Sequence, residues 1–418
     1  MESLRFLDHQ TAESIRSDFG SPIFVYHEAS LLSQAKAALA FPNAFGLTVR
    51  YAMKAYPNIT ILRIFNQVGL HLDASSGHEV ARATRAGAGT EKISLSSQEL
   101  PDDFALLVED GVKINLCSLS QLERYAERCP GTSVGLRFNP GLGSGGTAKT
   151  NVGGPSSSFG IWKDDLEQAR SLAEGAKLSI ERIHTHIGSG SNPEVWNRVA
   201  LLSLGIAAAF PKVKTVNLGG GFKVARMSDE SATDLQLVGE SVKRAFEEFA
   251  ERTQRRLKLE IEPGTFLVAN AGALITTIQD VPSTGPEGHS FLKLDAGMTE
   301  ILRPSLYGSQ HPIVTLPRED SGNATMPYVV VGHCCESGDL LTPEPNQPEM
   351  LAPRELSVCD RGDLCVIEGV GAYCSGMSAK NYNSFPESPE VLLQVDGSIS
   401  LIRKRQTLDQ MMENEILP

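Results

Sequence analysis

The sequence lacks a long apolar stretch. No apolar run approaches the ~18–20 residues that a membrane-spanning helix needs, and residues 1–8 contain no segment typical of a secretion signal. A long basic run is also missing, and the net charge of -12 argues against nucleic acid as the main partner. We therefore expect a protein that binds neither membranes nor nucleic acid.

Paired cysteines are missing as well. The seven cysteines are scattered, and none has the C-x-x-C spacing of a zinc site. An odd number of thiols without a secretion signal is typical of a reducing cytoplasm. We therefore predict a cytoplasmic protein with no bound metal.

The chain is long enough for two domains, with 418 residues of ordinary globular composition. Short apolar strands alternate with amphipathic helices over roughly 240 residues, which is the pattern of a parallel (β/α)8 barrel. An open, doubly wound sheet is the alternative, because alternation alone does not establish closure. The predicted strands are residues 47–51, 71–74, 92–95, 113–117, 134–138, 180–186, 215–219 and 257–262.

Polar residues at the strand ends favour the barrel. In a barrel the carboxyl ends of the strands converge on one mouth, where active sites lie. The residues at or just past a predicted strand end are Lys54, Asp73, Arg137, His186, Gly219 and Glu262.

Beyond residue 275 the helical periodicity fades and β-rich segments with turns follow. We therefore predict an α/β plus all-β protein. Residues 26–275 form a TIM-like (β/α)8 barrel, and residues 1–25 and 276–418 form a β-sandwich or β-barrel domain. Within the barrel, Ser118 is expected to cap a helix over residues 118–128, with Gln121 completing a capping box.

Lys54 lies in the stretch YAMKAYPN, residues 51–58, at the end of a predicted buried strand. A lysine there is costly unless it is paired or used chemically. Desolvation makes lysine a nucleophile that forms Schiff bases. A solvated lysine at a strand end is the alternative interpretation.

Three other features allow more than one interpretation. The triple glycine at residues 219–221 suits either a phosphate or a tight turn. His184 and His186 share one strand face and could bind a metal, stack on a flat cofactor or pack in the core. Glu262 ends a buried strand and needs a cationic or N–H partner, such as a pyridinium nitrogen.

Taken together, these motifs resemble the pyridoxal-phosphate-dependent decarboxylases of the alanine-racemase fold. The resemblance implies pyridoxal 5'-phosphate as cofactor, a homodimer with shared active sites, and decarboxylation of meso-2,6-diaminopimelate to L-lysine and CO2. It extends over nearly the whole chain, through YAMKAYPN, LDASSGHEV, NPGLGSGG, HTHIGSG, NLGGGF, EPG, LDAGMTEILRPSLYG, CCESGD and GAYCSGMSAKNYNS.

The resemblance also implies roles at the cofactor. Lys54 would bind it covalently, and His186 would stack on its ring. Glu262 would keep the pyridine nitrogen protonated, so that the ring serves as an electron sink. Asp73 and Arg137 would lie beneath or beside the ring and the lysine. Around the phosphate would lie Ser189, Gly219, Gly220, Gly221, Gly264 and Tyr373.

Substrate contacts are implied from both subunits. Cys335 of the partner subunit would protonate the carbanion left by CO2 loss, and Glu336 of the partner subunit would bind the distal ammonium. Arg303 and Tyr307 would bind the distal carboxylate, a task that suits a forked guanidinium. Tyr373 is expected at the substrate as well as at the phosphate.

One position departs from the family pattern. An arginine usually follows Glu-Pro-Gly, but here that residue is Thr265. We expect Lys223 or Lys149 to replace the missing charge. The departure leaves open a related substrate such as D-ornithine, D-lysine or carboxynorspermidine. A racemase fits the Cys335 loop less well, and a non-catalytic regulatory relative would typically lack Lys54 or Cys335.

Overall fold

The computed structural model describes residues 2–143, 153–186, 188, 192–318 and 324–418. The chain forms two compact units. One comprises Leu32–Val224 and Ser231–Leu267, and the other comprises Met1–Leu31, Ala225–Glu230 and Val268–Pro418. Within the described residues, no helix combines the length and the apolar character needed to cross a membrane.

Strands and helices alternate through the first unit, and strands dominate the second. The strands are β1 Ile23–His27, β2 Leu47–Ala52, β3 His71–Ala74, β4 Ile93–Leu95, β5 Lys113–Leu116, β6 Ser133–Asn139, β7 Ile161–Trp162, β8 Ser179–Thr185, β9 Thr215–Asn217, β10 Lys258–Ile261, β11 Gly272–Asp280, β12 Ser290–Leu294, β13 Ile313–Leu316, β14 Thr325–Val331, β15 Pro343–Glu344, β16 Gln347–Leu351, β17 Arg354–Ser357, β18 Leu364–Glu368, β19 Glu390–Leu393 and β20 Ile399–Arg403. The helices are α1 His9–Phe19, α2 Glu28–Leu39, α3 Ile59–Gln67, α4 Gly77–Arg85, α5 Phe104–Glu109, α6 Leu119–Arg128, α7 Leu166–Gly175, α8 Pro193–Ala208, α9 Leu235–Thr253, α10 Thr265–Val268, α11 Arg303–Tyr307 and α12 Leu408–Met412.

The first unit is a closed parallel barrel. Its strands pair in the order β5-β4-β3-β2-β10-β9-β8-β6, and β6 pairs back onto β5 to complete the ring. The short β7 adds to the side of β6. The barrel prediction is therefore confirmed, and every strand predicted for it is present with its ends shifted by two residues or fewer.

Helix α6 shows how local sequence sets an element boundary. The Ser118 hydroxyl accepts the N–H of Gln121 at 3.1 Å and caps the helix, as predicted. The side chain of Gln121, however, accepts the N–H of Cys117 at 2.7 Å. The predicted capping box is therefore wrong in its second half. The Gln121 side chain was expected to accept the backbone N–H of Ser118, but it accepts that of the preceding residue, Cys117.

The second unit is built on a nine-stranded sheet. Strand β1 runs antiparallel to β11 and parallel to β19, so an N-terminal strand lies inside a sheet made mostly of later residues. Its apolar side chains pack with those of α1, including Ala12 and Ile15. The predicted β-rich second domain is thus confirmed.

The barrel interior holds a buried ion-pair network. Glu260 lies 3.0 Å from the guanidinium of Arg50 on one side and 3.0 Å from that of Arg182 on the other. Burial alone would raise the pKa of Glu260, but the two guanidinium groups outweigh it and hold that pKa at about 2. One carboxylate therefore serves two buried cations.

We predict that Glu260→Gln destabilises the fold by about 3 kcal/mol, because it leaves two buried guanidinium groups without an anion. The pKa of Glu260 is lowered in the folded state. Its stabilising contribution is therefore complete above pH 4.5 and is lost as the pH falls towards 2. Urea unfolding across this pH range measures the difference between the wild type and the variant.

Glu181→Gln is the matched control, since Glu181 pairs with Lys214 at an exposed site. It should cost less than about 1 kcal/mol. Equal losses for the two variants would contradict a structural role for the buried network.

Candidate active site

Lys54 lies on a tight turn at the mouth of the barrel. Strand β2 ends at Ala52 and runs directly into a 3-10 turn over Met53–Ala55. The neighbours Met53 and Ala55 are buried while the Lys54 side chain is exposed. The lysine is therefore presented to solvent, where the sequence had suggested a desolvated strand end.

The lysine turn is held by its surroundings. The Tyr51 hydroxyl donates to the carbonyl of Tyr56 at 2.8 Å, which ties the two ends of the turn together. The N–H of Ala52 donates to the carbonyl of Pro263 at 3.2 Å, which joins the turn to the end of β10. A Cβ added at Gly264 would lie 3.3 Å from that of Ala52, so the glycine permits this close packing.

Glu262 lies just past the end of β10 and is buried. Its carboxylate accepts the side-chain N–H of Asn217 at 2.6 Å and lies 3.2 Å from Nε2 of His184. Burial alone would raise the pKa of Glu262, but His184 and then the charge of Lys54 lower it well below the ordinary value. The carboxylate is therefore a buried negative charge in the barrel mouth.

Asp73 lies at the end of β3, within reach of the charges of Glu262 and Lys54. It is buried and accepts the Ser94 hydroxyl at 2.8 Å. Burial, and then repulsion from Glu262, raise the pKa of Asp73 above its ordinary value. The environment thus shifts the pKa values of the two carboxyl groups in opposite directions, and Glu262 ionises at a lower pH than Asp73 does.

His184 and His186 lie on the same side of β8 and of the residues that follow it. Burial lowers the pKa of both imidazoles, so both are neutral at pH 7. His184 is deep in the barrel beside Glu262, whereas His186 is only partly buried. His186 is therefore the more accessible ring, and its Nδ1 has no hydrogen-bond partner among the described residues.

The triple glycine forms a turn directly against His186. Gly219 has a φ of +71°, and a Cβ placed there would lie 2.5 Å from Nδ1 of His186. A Cβ at Gly220 would overlap the carbonyl oxygen of Glu262, and Gly221 has a φ of +107°. The turn therefore needs glycine at each position, and its backbone lies close to both the imidazole and the end of β10.

Arg137 completes the group that the barrel brings together. Its guanidinium carbon lies 5.0 Å from the ring centroid of Phe159, and its charge reaches both His186 and Cys117. Ser189, the remaining residue predicted at this mouth, lies outside the described residues.

The other predicted site residues belong to the second unit. Arg303 and Tyr307 lie on the short helix α11, where the guanidinium carbon is 5.8 Å from the phenol ring centroid. The guanidinium also donates to the Ser309 hydroxyl at 3.3 Å. These contacts hold the arginine side chain beside the tyrosine.

Cys335 and Glu336 form the exposed tip of a loop. Asp339 fixes the base of this loop by accepting the N–H groups of Met298 at 2.6 Å and Cys334 at 2.9 Å. The N–H of Cys335 donates to the side chain of Asn383 at 2.7 Å. The tip is therefore positioned by its backbone and leaves its thiol and carboxylate open to solvent.

Tyr373 follows β18 in an unusual backbone conformation. Its φ is +56°, which is uncommon for a residue with a side chain and clusters at functional sites. A Cβ at the nearby Gly371 would overlap the carbonyl oxygen of Val268. The chain is therefore tightly packed where it presents this phenol.

Sequence reasoning missed two residues that matter here. Asn217 donates a side-chain hydrogen bond to Glu262. The sequence feature that could have identified it is a polar side chain within the short strand β9. Arg226 is a partly buried arginine in a stretch without regular structure, and its spacing in the sequence did not indicate a functional role.

The chain is similar to known proteins of one family. Residues 31–269 match the family model described as pyridoxal-dependent decarboxylase, pyridoxal binding domain. The chain is 35% identical to the diaminopimelate decarboxylase of Escherichia coli strain K12, with 97% of each chain covered. It is 33% identical to the diaminopimelate decarboxylase of Streptomyces coelicolor, covering 99% of this chain and 93% of the relative. A crystal structure of diaminopimelate decarboxylase superposes with a TM-score of 0.91 at 34% identity over the full length of both chains.

We predict that Gly219→Ala destabilises the barrel more than Gly131→Ala does. Both glycines have positive φ, at +71° and +76°, but no atom lies within 4 Å of a Cβ at Gly131. The control therefore measures the backbone cost alone, roughly 1–2 kcal/mol, and the excess at Gly219 measures the contact with His186. Urea unfolding measures the free energy of unfolding of both variants. Equal losses of that free energy would contradict the close approach between Gly219 and His186.

Proposed function

The chain belongs to the diaminopimelate decarboxylase family of pyridoxal-dependent decarboxylases, and on that premise we propose that it converts meso-2,6-diaminopimelate to L-lysine and CO2. The single observation that carries this proposal is the convergence of Lys54, Glu262 and His186 at the barrel mouth. The three are coupled electrostatically and supply an amine, a buried carboxylate and an accessible neutral ring.

The residues at the mouth fit pyridoxal 5'-phosphate. The buried charge of Glu262 suits a protonated pyridine nitrogen, and the partly buried imidazole of His186 suits stacking on an aromatic ring. The glycine turn admits no side chains, so backbone N–H groups can approach a phosphate. Lys54 would hold the cofactor covalently through its exposed amine.

When bound, pyridoxal phosphate supplies a sink for the electron pair left as CO2 departs. Glu262 would maintain that sink by keeping the ring nitrogen protonated, and Asn217 holds the carboxylate in place by donating a hydrogen bond to it. Asp73 and Arg137 adjust the charge balance around Lys54 and His186. The barrel residues therefore bind the cofactor and control its protonation.

A further group of residues is proposed to act on the substrate. Arg303 and Tyr307 bind the carboxylate that remains on the product, and Tyr373 contributes its phenol to substrate and phosphate. Cys335 of the partner subunit would act as the proton donor through Sγ, and Glu336 of the partner subunit would bind the distal ammonium.

We further propose a homodimer, which the loop that carries Cys335 supports. Its tip is exposed, yet its base is fixed by Asp339 and Asn383. A rigid, exposed thiol and carboxylate are suited to complete the active site of a second copy of this chain. The seven free thiols support a reducing compartment, which we take to be the cytoplasm.

The substrate assignment is tested by CO2 release from the cofactor-loaded protein. We expect turnover of meso-diaminopimelate and much slower turnover of D-lysine, D-ornithine and carboxynorspermidine, because Arg303 favours a second carboxylate. Preference for a substrate without that carboxylate would mean that Thr265 marks a changed specificity. No CO2 from any of them would contradict decarboxylation.

We predict that Cys335→Ala retains the cofactor's absorbance but lowers kcat by roughly 10²–10⁴-fold, because proton delivery is lost. Cys334→Ala is the control. Its thiol is partly buried, and burial followed by the charge of Asp339 raises its pKa to about 12. The control should retain kcat within about threefold, and full-speed turnover by Cys335→Ala would exclude the proton-donor role.

A further inference from the structure

Arg226 lies in the second unit with hydrogen-bonding capacity to spare. Its Nε donates to the carbonyl of Gly369 at 3.0 Å. Its Nη2 is buried and has no acceptor among the residues that the structure describes. The Nε of Arg303 is in the same condition. Two guanidinium groups of one unit therefore each hold a buried donor that has no acceptor in the described part of the chain.

The two arginines belong to one cluster. Each lies within electrostatic reach of the other, of Cys374 and of His311. Burial, and then the charge of Arg303, lower the pKa of Arg226 to about 9, which still leaves it cationic at pH 7. Burial raises the pKa of the Cys374 thiol to about 11, so that thiol does not neutralise the pair.

Among the described residues, neither Glu230 nor Glu368 accepts a hydrogen bond from these two buried guanidinium donors. Glu230 accepts the backbone N–H groups of Arg226 at 2.7 Å and of Met227 at 3.2 Å. Glu368 accepts the N–H of Arg5 at 3.2 Å, and burial raises its pKa to about 7. The cluster therefore carries positive charge that an external anion can balance.

The backbone around Arg226 is shaped to hold this side chain. Gly369 has a φ of +68°, and a Cβ there would lie 3.1 Å from Cγ of Arg226. The preceding carbonyl, that of Ala225, accepts side-chain N–H groups from Asn270 at 3.0 Å and from Arg5 at 3.2 Å. These contacts fix the arginine from three separate segments of the chain.

We propose that Arg226 determines substrate specificity by binding, together with Arg303, the distal carboxylate of the substrate. The inference rests on the function proposed above. A carboxylate offers two oxygens to two forked donors, and both arginines hold a buried donor without an acceptor. Arg226 thereby supplies the charge that Thr265 lacks.

Sequence reasoning had suggested lysines for this task. Lys223 is exposed, and Lys149 lies outside the described residues.

The test uses the cofactor-loaded enzyme and two ligands that differ by one carboxylate, L-lysine and 1,5-diaminopentane. In Arg226→Met, the Kd of L-lysine and the KM of meso-diaminopimelate should rise roughly 10- to 100-fold, the usual effect of losing a charged hydrogen bond. The Kd of 1,5-diaminopentane should stay unchanged, and kcat should change less than about threefold. An unchanged Kd for L-lysine, or equal weakening of both ligands, would overturn the assignment.

Three further variants sharpen the result. Arg226→Lys keeps the charge but not the fork, and should lie between the wild type and Arg226→Met. Arg361→Met removes an exposed arginine of the same unit and should change neither ligand's Kd. A selective loss of L-lysine binding in Lys223→Met, with Arg226→Met unaffected, would reassign the role to the lysine.

Failure of the inference is distinguishable from failure of the proposed function. Wild-type turnover of meso-diaminopimelate with no effect of Arg226→Met would remove only the role of Arg226. A wild-type enzyme that neither binds L-lysine nor releases CO2 from meso-diaminopimelate would overturn both.

Discussion

The candidate active site depends on where strand β10 and the residue after it place two acidic side chains. Residues two apart on a strand face the same way, so Glu260 and Glu262 both point into the barrel. The deeper carboxylate, that of Glu260, is neutralised by two buried arginines. The carboxylate of Glu262, nearer the barrel mouth, contacts the amide of Asn217 and the imidazole of His184. The lower layer thereby stabilises the fold, while the upper layer keeps a negative charge available for chemistry.

The carboxyl ends of neighbouring strands bring the remaining groups to that charge. Lys54 follows β2, Asp73 lies near the end of β3 and His186 follows β8. Each of the three interacts electrostatically with the carboxylate of Glu262. Parallel strands make this convergence unavoidable, because all their carboxyl ends open on the same side. Two glycine-bearing turns, at Gly219 and Gly264, then remove the side chains that would otherwise block the approach.

Much of this was predictable from sequence, since strand periodicity and polar residues at strand ends identify both the barrel and its mouth. The hydrogen-bond partners of individual side chains were not. Gln121 bonds Cys117 where a capping box was expected, and Arg226 reaches the carbonyl of Gly369, 143 residues away. The spacing of residues in the sequence identifies which residues share a face of a helix or strand. The environment of an isolated arginine such as Arg226 depends on distant segments that only the fold brings together.

The most direct test of this account locates the cofactor's covalent attachment. The cofactor-loaded protein is reduced with borohydride, digested and mapped by mass spectrometry. The account predicts a pyridoxyl group on the peptide that contains Lys54, because that amine alone is grouped with Glu262 and His186 in the described barrel mouth. A pyridoxyl group on another lysine, such as Lys223, or on none, would contradict it.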